Sequence, residues 1–143
     1  MKAIAPALVT ASAVIVLLLG LAHLLYTFHG PRLWPRGGEL KARMQEVSPV
    51  ITRQTTMWKA WIGFNASHSH GLILFGATYG YLALGHGAFL FQSVFLLSLG
   101  LIGLCGYVFL AQRYFFRFPL RAVIVATLLY GIALVANWAS TLP

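Results

Sequence analysis

The chain contains no aspartate, and its only two acidic residues, Glu39 and Glu46, stand close together between apolar runs. Carboxylate proton relays, di-iron sites and paired-carboxylate catalysis inside a membrane are therefore excluded by inventory. A single cysteine, Cys105, leaves no internal disulfide. Charged residues make up only 8% of the 143 residues, whereas roughly a quarter are charged in an ordinary soluble domain.

What the chain does have is apolar sequence, since 59% of its residues are hydrophobic. Four runs match the roughly 20 residues that a helix needs to cross a bilayer. We predict an all-α membrane protein in which one transmembrane domain, residues 1–143, forms a four-helix bundle. The predicted spans are about residues 3–28, 61–84, 88–111 and 119–139.

The basic residues predict the orientation of these spans. A net charge of +8 would suggest nucleic acid in a soluble protein, but nine of the ten Lys and Arg residues lie on or beside two loops next to the spans. Because such residues accumulate on the cytoplasmic side, both loops should be cytoplasmic and both termini periplasmic or lumenal. We therefore expect a multi-pass protein of the bacterial inner membrane that contacts anionic lipid headgroups and binds no nucleic acid.

The first loop, residues 29–60, contains a second pattern. Leu40, Met44 and Val47 recur at helical spacing among charged residues, which predicts a short amphipathic helix over 39–47 on the cytoplasmic surface. Ser48 followed by Pro49 resembles the N-cap and first position of a helix, so the second long helix is predicted to begin there.

Small residues recur along two of the spans. Gly63, Ser67 and Gly71 form one such stripe, and the third span carries another at Gly100, Gly103 and Gly106. Such stripes let helices approach closely in a membrane. They favour a homo-oligomer or a complex with a partner membrane subunit.

Polar residues inside a bilayer are costly, so they are the functional candidates. His23 and His68 are predicted to lie at similar depths in antiparallel helices, because each residue rises about 1.5 Å. With Asn65 and Arg121 they form a candidate cytoplasm-facing pocket for a lipophilic or amphipathic small molecule. The secondary candidates for this pocket are His70, Thr27, Arg53, Lys59 and Arg117.

Two other interpretations of the histidines stay open. In the first, they only hydrogen-bond neighbouring helices, and the protein is a non-enzymatic accessory or assembly subunit. In the second, His23 and His68 ligate a haem or a metal, because neutral imidazole is a common ligand. No ligand-spacing motif marks either residue for that role.

Around residues 55–140 the chain resembles the superfamily of membrane-associated proteins in eicosanoid and glutathione metabolism. The resemblance consists of four spans, outward termini, a basic first loop and Pro119-Leu120-Arg121 at the start of the fourth span, similar to a Pro-x-Arg-Ser segment. It implies that Arg121 binds the thiol of glutathione. It also implies that Asn65 is the asparagine of an Arg-x-x-x-Asn-x-x-Glu motif, although Trp61 and His68 replace the arginine and the glutamate.

Overall fold

A computed structural model describes residues 4–140, and within that range every regular element is a helix. The helices are α1 (Ile4–Phe28), α2 (Gly38–Glu46), α3 (Met57–Gly85), α4 (Gly87–Gln92), α5 (Val94–Tyr114) and α6 (Arg117–Ala139). Three of them, α1, α5 and α6, are long and apolar enough to cross a membrane. The all-helical class predicted from the sequence is therefore confirmed, and the three apolar helices are consistent with a membrane protein.

Helices α1, α3 and α6 coincide closely with three of the predicted apolar runs, whereas the fourth run is divided between two helices. The chain predicted as one helix over 88–111 is divided at Ser93, whose backbone is extended. The Ser93 hydroxyl accepts a hydrogen bond from the Leu96 N–H at 3.3 Å, so this residue caps α5. The predicted start of the first span, residue 3, lies outside the described residues.

The predicted start of the second long helix is also wrong. Residues Ser48 and Pro49 precede a turn in which the Thr52 N–H donates to the Pro49 carbonyl. Helix α3 begins at Met57, and the Thr56 hydroxyl accepts from the Lys59 N–H at 3.3 Å. A threonine at this position satisfies one of the free N–H groups of the first turn, as the serine was expected to do.

The helices divide into two compact units, one of residues 4–19 with 72–140 and the other of residues 20–71. We call them unit 1 and unit 2. In unit 1, α1 packs closely on α3, because a Cβ atom added to Gly76 would lie 2.7 Å from the Ala13 carbonyl oxygen. Val9, Ala13 and Val16 are buried on the same side of α1, so small and branched residues form this packing surface.

Two tyrosines occupy the interior of unit 1. The Tyr79 hydroxyl donates to the Leu96 carbonyl at 2.7 Å, and the Tyr130 hydroxyl donates to the Leu97 carbonyl at 3.2 Å. Their rings meet edge to face with centroids 5.8 Å apart. Gly100 makes room for them, since an added Cβ would overlap the Tyr130 hydroxyl and lie 2.8 Å from the Tyr79 ring. Helices α3 and α6 are thus both tied to α5.

Unit 2 contains the predicted loop helix. Helix α2 runs from Gly38 to Glu46, close to the expected 39–47, and buries none of its residues. The chain after it folds back, because the Met57 N–H donates to the Val47 carbonyl at 2.9 Å. Arg43 and Glu46 form an ion pair on its surface, which contributes little because both side chains are mostly exposed.

Candidate functional site

Unit 2 brings together three of the residues that the sequence singles out. His23, near the end of α1, and Asn65, in the third turn of α3, are joined by a hydrogen bond of 3.0 Å between Nε2 and Oδ1. The ring of His68 lies one helical turn beyond Asn65 and meets the His23 ring edge to face, with centroids 5.3 Å apart. We call His23, Asn65 and His68 the histidine–asparagine cluster. The predicted meeting of the two histidines is a feature of the structure.

The hydrogen bonds of Asn65 determine which tautomer a neutral His23 imidazole adopts. The Asn65 carboxamide reaches the Trp61 carbonyl at 2.8 Å, and only its NH₂ group can donate there. The amide oxygen therefore faces His23 and accepts, so Nε2 of His23 carries the proton. In a neutral imidazole the other nitrogen, Nδ1, is then an acceptor. The cluster consequently presents a hydrogen-bond acceptor at His23.

The backbone around the cluster is bonded locally. Thr27 and Ser69 are buried, and their hydroxyls donate to the carbonyls of His23 at 2.8 Å and Asn65 at 2.9 Å. Hydroxyl groups that bond to the preceding turn are satisfied without help from another helix. Thr27, a secondary candidate, is therefore engaged by its own helix, while the side chains of His23, Asn65 and His68 are only half-buried.

The remaining candidates are exposed. His70 points away from His68, as expected for residues two apart on a helix, and Arg53 and Lys59 are also exposed in unit 2. Arg117 and Arg121 belong to the first turns of α6 in unit 1, where both side chains are exposed. The membership of Arg121 in the pocket stays a prediction.

Unit 2 contains a second group of interacting side chains that was not predicted from the sequence. The Lys41 ammonium of α2 lies 3.1 Å from the ring centroid of Trp34 and 5.0 Å from that of Trp58, and the two indoles meet edge to face. The Trp61 indole N–H donates to the Leu33 carbonyl at 3.0 Å. A lysine between two tryptophans is a favourable cation–π arrangement, which holds α2 against the loop. The lysine and the tryptophans are visible in the sequence, but their spacing does not indicate that they pack together.

The cluster contains two histidine side chains, which are common metal ligands, but no further residue of a metal-binding type. Within residues 4–140, no group of three or more His, Cys, Asp or Glu side chains is placed to hold a metal ion. A site built here would rest on His23 and His68 alone, and Nε2 of His23 is already bonded to Asn65. Hydrogen bonding is therefore the chemistry that the arrangement supports directly.

Comparison with known proteins adds no relative to this description. No protein-family model, no curated protein and no solved structure matches the chain. The chemistry of the cluster is accordingly argued from its own residues.

Proposed function

We propose that the protein is a four-span membrane protein whose histidine–asparagine cluster binds the polar group of a lipophilic or amphipathic small molecule. The observation that carries this proposal is the acceptor nitrogen at His23, held in place by the Asn65 amide. Imidazole and amide groups are expensive in a bilayer unless they are used, and the half-buried state of all three side chains leaves them reachable.

The fourth span of this proposal is α3. Its 29 residues would extend about 44 Å at 1.5 Å per residue, which exceeds the roughly 30 Å of a bilayer's hydrocarbon core. Its polar residues separate it from the three more apolar helices, and polar spans commonly line functional sites. With the basic loops in the cytoplasm and the termini outside, the cluster lies in the cytoplasmic half of an inner membrane.

The chemistry of the cluster suggests which ligand group it binds. A hydroxyl, thiol or amide N–H can donate to Nδ1 of His23, while the apolar body of the molecule remains among the helices. The resemblance to the glutathione-related proteins separately suggests that Arg121 pairs with an anionic group. Haem and glutathione are the alternative ligands. Absorbance in the Soret region tests for haem, and a titration with glutathione tests for glutathione.

Native mass spectrometry of the gently extracted protein tests the ligand. The wild type should retain a small lipophilic molecule, and His68→Leu should lose it. His70→Leu is the matched control, because it makes the same change on the exposed face of the same helix turn. If wild type and His68→Leu both emerge without a bound molecule and His68→Leu melts at a lower temperature, the cluster is structural.

The second candidate function is an accessory or assembly subunit. It is favoured by Asn65, whose amide is bonded both to His23 and to its own helix and so already acts as a tie between helices. The exposed Gly63 and Ser67 then supply a surface for a second copy or a partner subunit. Loss of a cross-linked oligomer in Ser67→Leu, with ligand retention unchanged, would favour this function.

A further inference from the structure

A separate cavity opens in unit 1, where α5 begins and α6 ends. Its volume is about 290 Å³, close to the lower end of the range of about 300–1,000 Å³ for small-ligand pockets. Six of the eight residues lining it are apolar or aromatic, among them Leu101 and Leu134. The other two are Ser98 and Asn137, so the lining offers two hydrogen-bonding groups among apolar side chains.

The two polar side chains are not used by the fold that is described. Thr10 and Thr127, in the same unit, donate to the carbonyl one turn earlier, at 2.8 and 2.7 Å. Within residues 4–140, the Ser98 hydroxyl and the Asn137 carboxamide make no side-chain hydrogen bond. Together they offer two kinds of donor and acceptor to a molecule in the cavity.

Charge restricts what that molecule is. No Asp, Glu, Lys or Arg occurs between Lys59 and Arg113 or after Arg121. The segments that line the cavity therefore contain no group to neutralise a phosphate, carboxylate or ammonium. A charge without a partner is unfavourable among apolar side chains, so the lining favours an occupant whose polar end is uncharged.

The depth of the cavity along the helices fits a lipid. Ser98 lies in the second turn of α5, and Asn137 lies two residues before the end of α6. In a membrane helix these positions approach the boundary between hydrocarbon and headgroups. The apolar walls continue from there toward the middle of α5 and α6.

We propose that this cavity binds an uncharged lipid, whose hydroxyl or carbonyl group bonds Ser98 and Asn137 while one apolar chain packs against Leu101 and Leu134. The site shares no residue with the histidine–asparagine cluster. The site selects a lipid with a neutral headgroup over one with an anionic headgroup.

Photolabelling of the full chain in phosphatidylcholine nanodiscs tests this proposal. The probe is a long-chain alcohol with a diazirine in its chain, and the comparison probe is the fatty acid of the same chain at a pH where it is ionised. The alcohol should label peptides of residues 91–101 and 134–138 preferentially. Equal labelling by the ionised acid, or labelling spread evenly over the exposed faces of α5 and α6, would overturn the proposal.

Substitutions then connect the labelling to the cavity. Leu134→Trp fills the space and should abolish preferential labelling, whereas Ile132→Trp, on the exposed face of the same helix, should leave it unchanged. Asn137→Leu keeps the shape and removes the polar group, so labelling should fall about threefold to tenfold, as the loss of one hydrogen bond predicts. Undiminished labelling in Asn137→Leu, at an unchanged melting temperature, would contradict a role for the polar end.

Discussion

The two units satisfy polar side chains in different ways. In unit 1, Tyr79 and Tyr130 are buried and donate to backbone carbonyls, which are fixed parts of α5. In unit 2, His23 and Asn65 bond side chain to side chain and are only half-buried. The two tyrosines are buried and therefore out of reach of a ligand, while the histidine–asparagine cluster retains an acceptor nitrogen. Burial and the type of partner therefore separate a structural polar group from a candidate binding group.

The largest expected effect is in the interior of unit 1. Gly100→Ala places a Cβ atom against the Tyr130 hydroxyl and the Tyr79 ring, so both rings must move and their hydrogen bonds weaken. We expect a loss of about 2–3 kcal/mol in the free energy of unfolding, the upper part of the range for overpacking. Steric trapping or reversible denaturation in mixed micelles measures this quantity.

Gly106→Ala is the matched control for that substitution. Gly106 lies on the same helix and in the same predicted stripe, but an added Cβ would meet nothing within 4 Å. Alanine should be neutral or slightly stabilising there, because it is the better helix former. If the two substitutions destabilised the protein equally, contact with the tyrosines would not explain the effect of Gly100→Ala.

The next effect concerns the tie in unit 2. Asn65→Leu leaves the Nε2–H of His23 without its acceptor, and a stranded polar group costs about 1–3 kcal/mol. A double-mutant cycle with His23→Leu isolates the coupling, which should be about 0.6–2 kcal/mol for a hydrogen bond between membrane helices. A coupling near zero would mean that the two side chains do not support each other.

A smaller loss is expected for Tyr130→Phe. This substitution removes the hydroxyl that donates to the Leu97 carbonyl at 3.2 Å but keeps the buried ring. The free energy of unfolding should fall by about 0.5–1.5 kcal/mol, the usual net value of one hydrogen bond. Retention of the molecule bound at the histidine–asparagine cluster should not change. If the variant lost that molecule, Tyr130 would not be a purely structural residue, contrary to the distinction between the two units.

The smallest effect is expected in the loop of unit 2. Lys41→Met keeps the aliphatic stem over Trp34 but removes the ammonium, so stability should decrease by about 0.5–1 kcal/mol. The tryptophan emission should shift as well, because the charge lies next to two of the four indoles. Lys59→Met, at an exposed position of α3, is the control that should leave both readouts unchanged.

The sequence predicted the long helices well because apolar runs of this length are a strong and local signal. The prediction was wrong at Ser93 and at Ser48, because there a single capping hydrogen bond determines where a helix begins. The break at Ser93 falls at two polar residues, Gln92 and Ser93, within a stretch that is otherwise apolar, so hydropathy averaged over a span-length window did not reveal it. The start of α3 depends on Thr56 rather than on Ser48, and both residues are acceptable N-caps by type.

For the candidate site, helical periodicity was enough to bring His23 near His68. His23 lies five residues before the end of the predicted first span and His68 seven residues after the start of the predicted second span, so antiparallel spans place them at similar depths. Periodicity could not show that Asn65 orients the His23 imidazole, because that depends on the rotamer of one amide. The stripe of Gly100 and Gly103 was read as a surface for a partner, whereas the structure fills it with Tyr79, Tyr130 and Phe75 of the same chain.

The most direct test of the account is ligand-dependent thermal stabilisation of the purified protein. Adding back a total lipid extract of the source cells should raise the melting temperature of the wild type and of His70→Leu, because a ligand that binds only the folded state stabilises it by mass action, by about 2.7 kcal/mol at roughly 100 times its Kd. His68→Leu should melt near the temperature of the untreated wild type and should gain less from the extract than the wild type, only as much as a lipid in the unit 1 cavity contributes. If the extract stabilises His68→Leu as much as the wild type, the histidine–asparagine cluster is not the binding site.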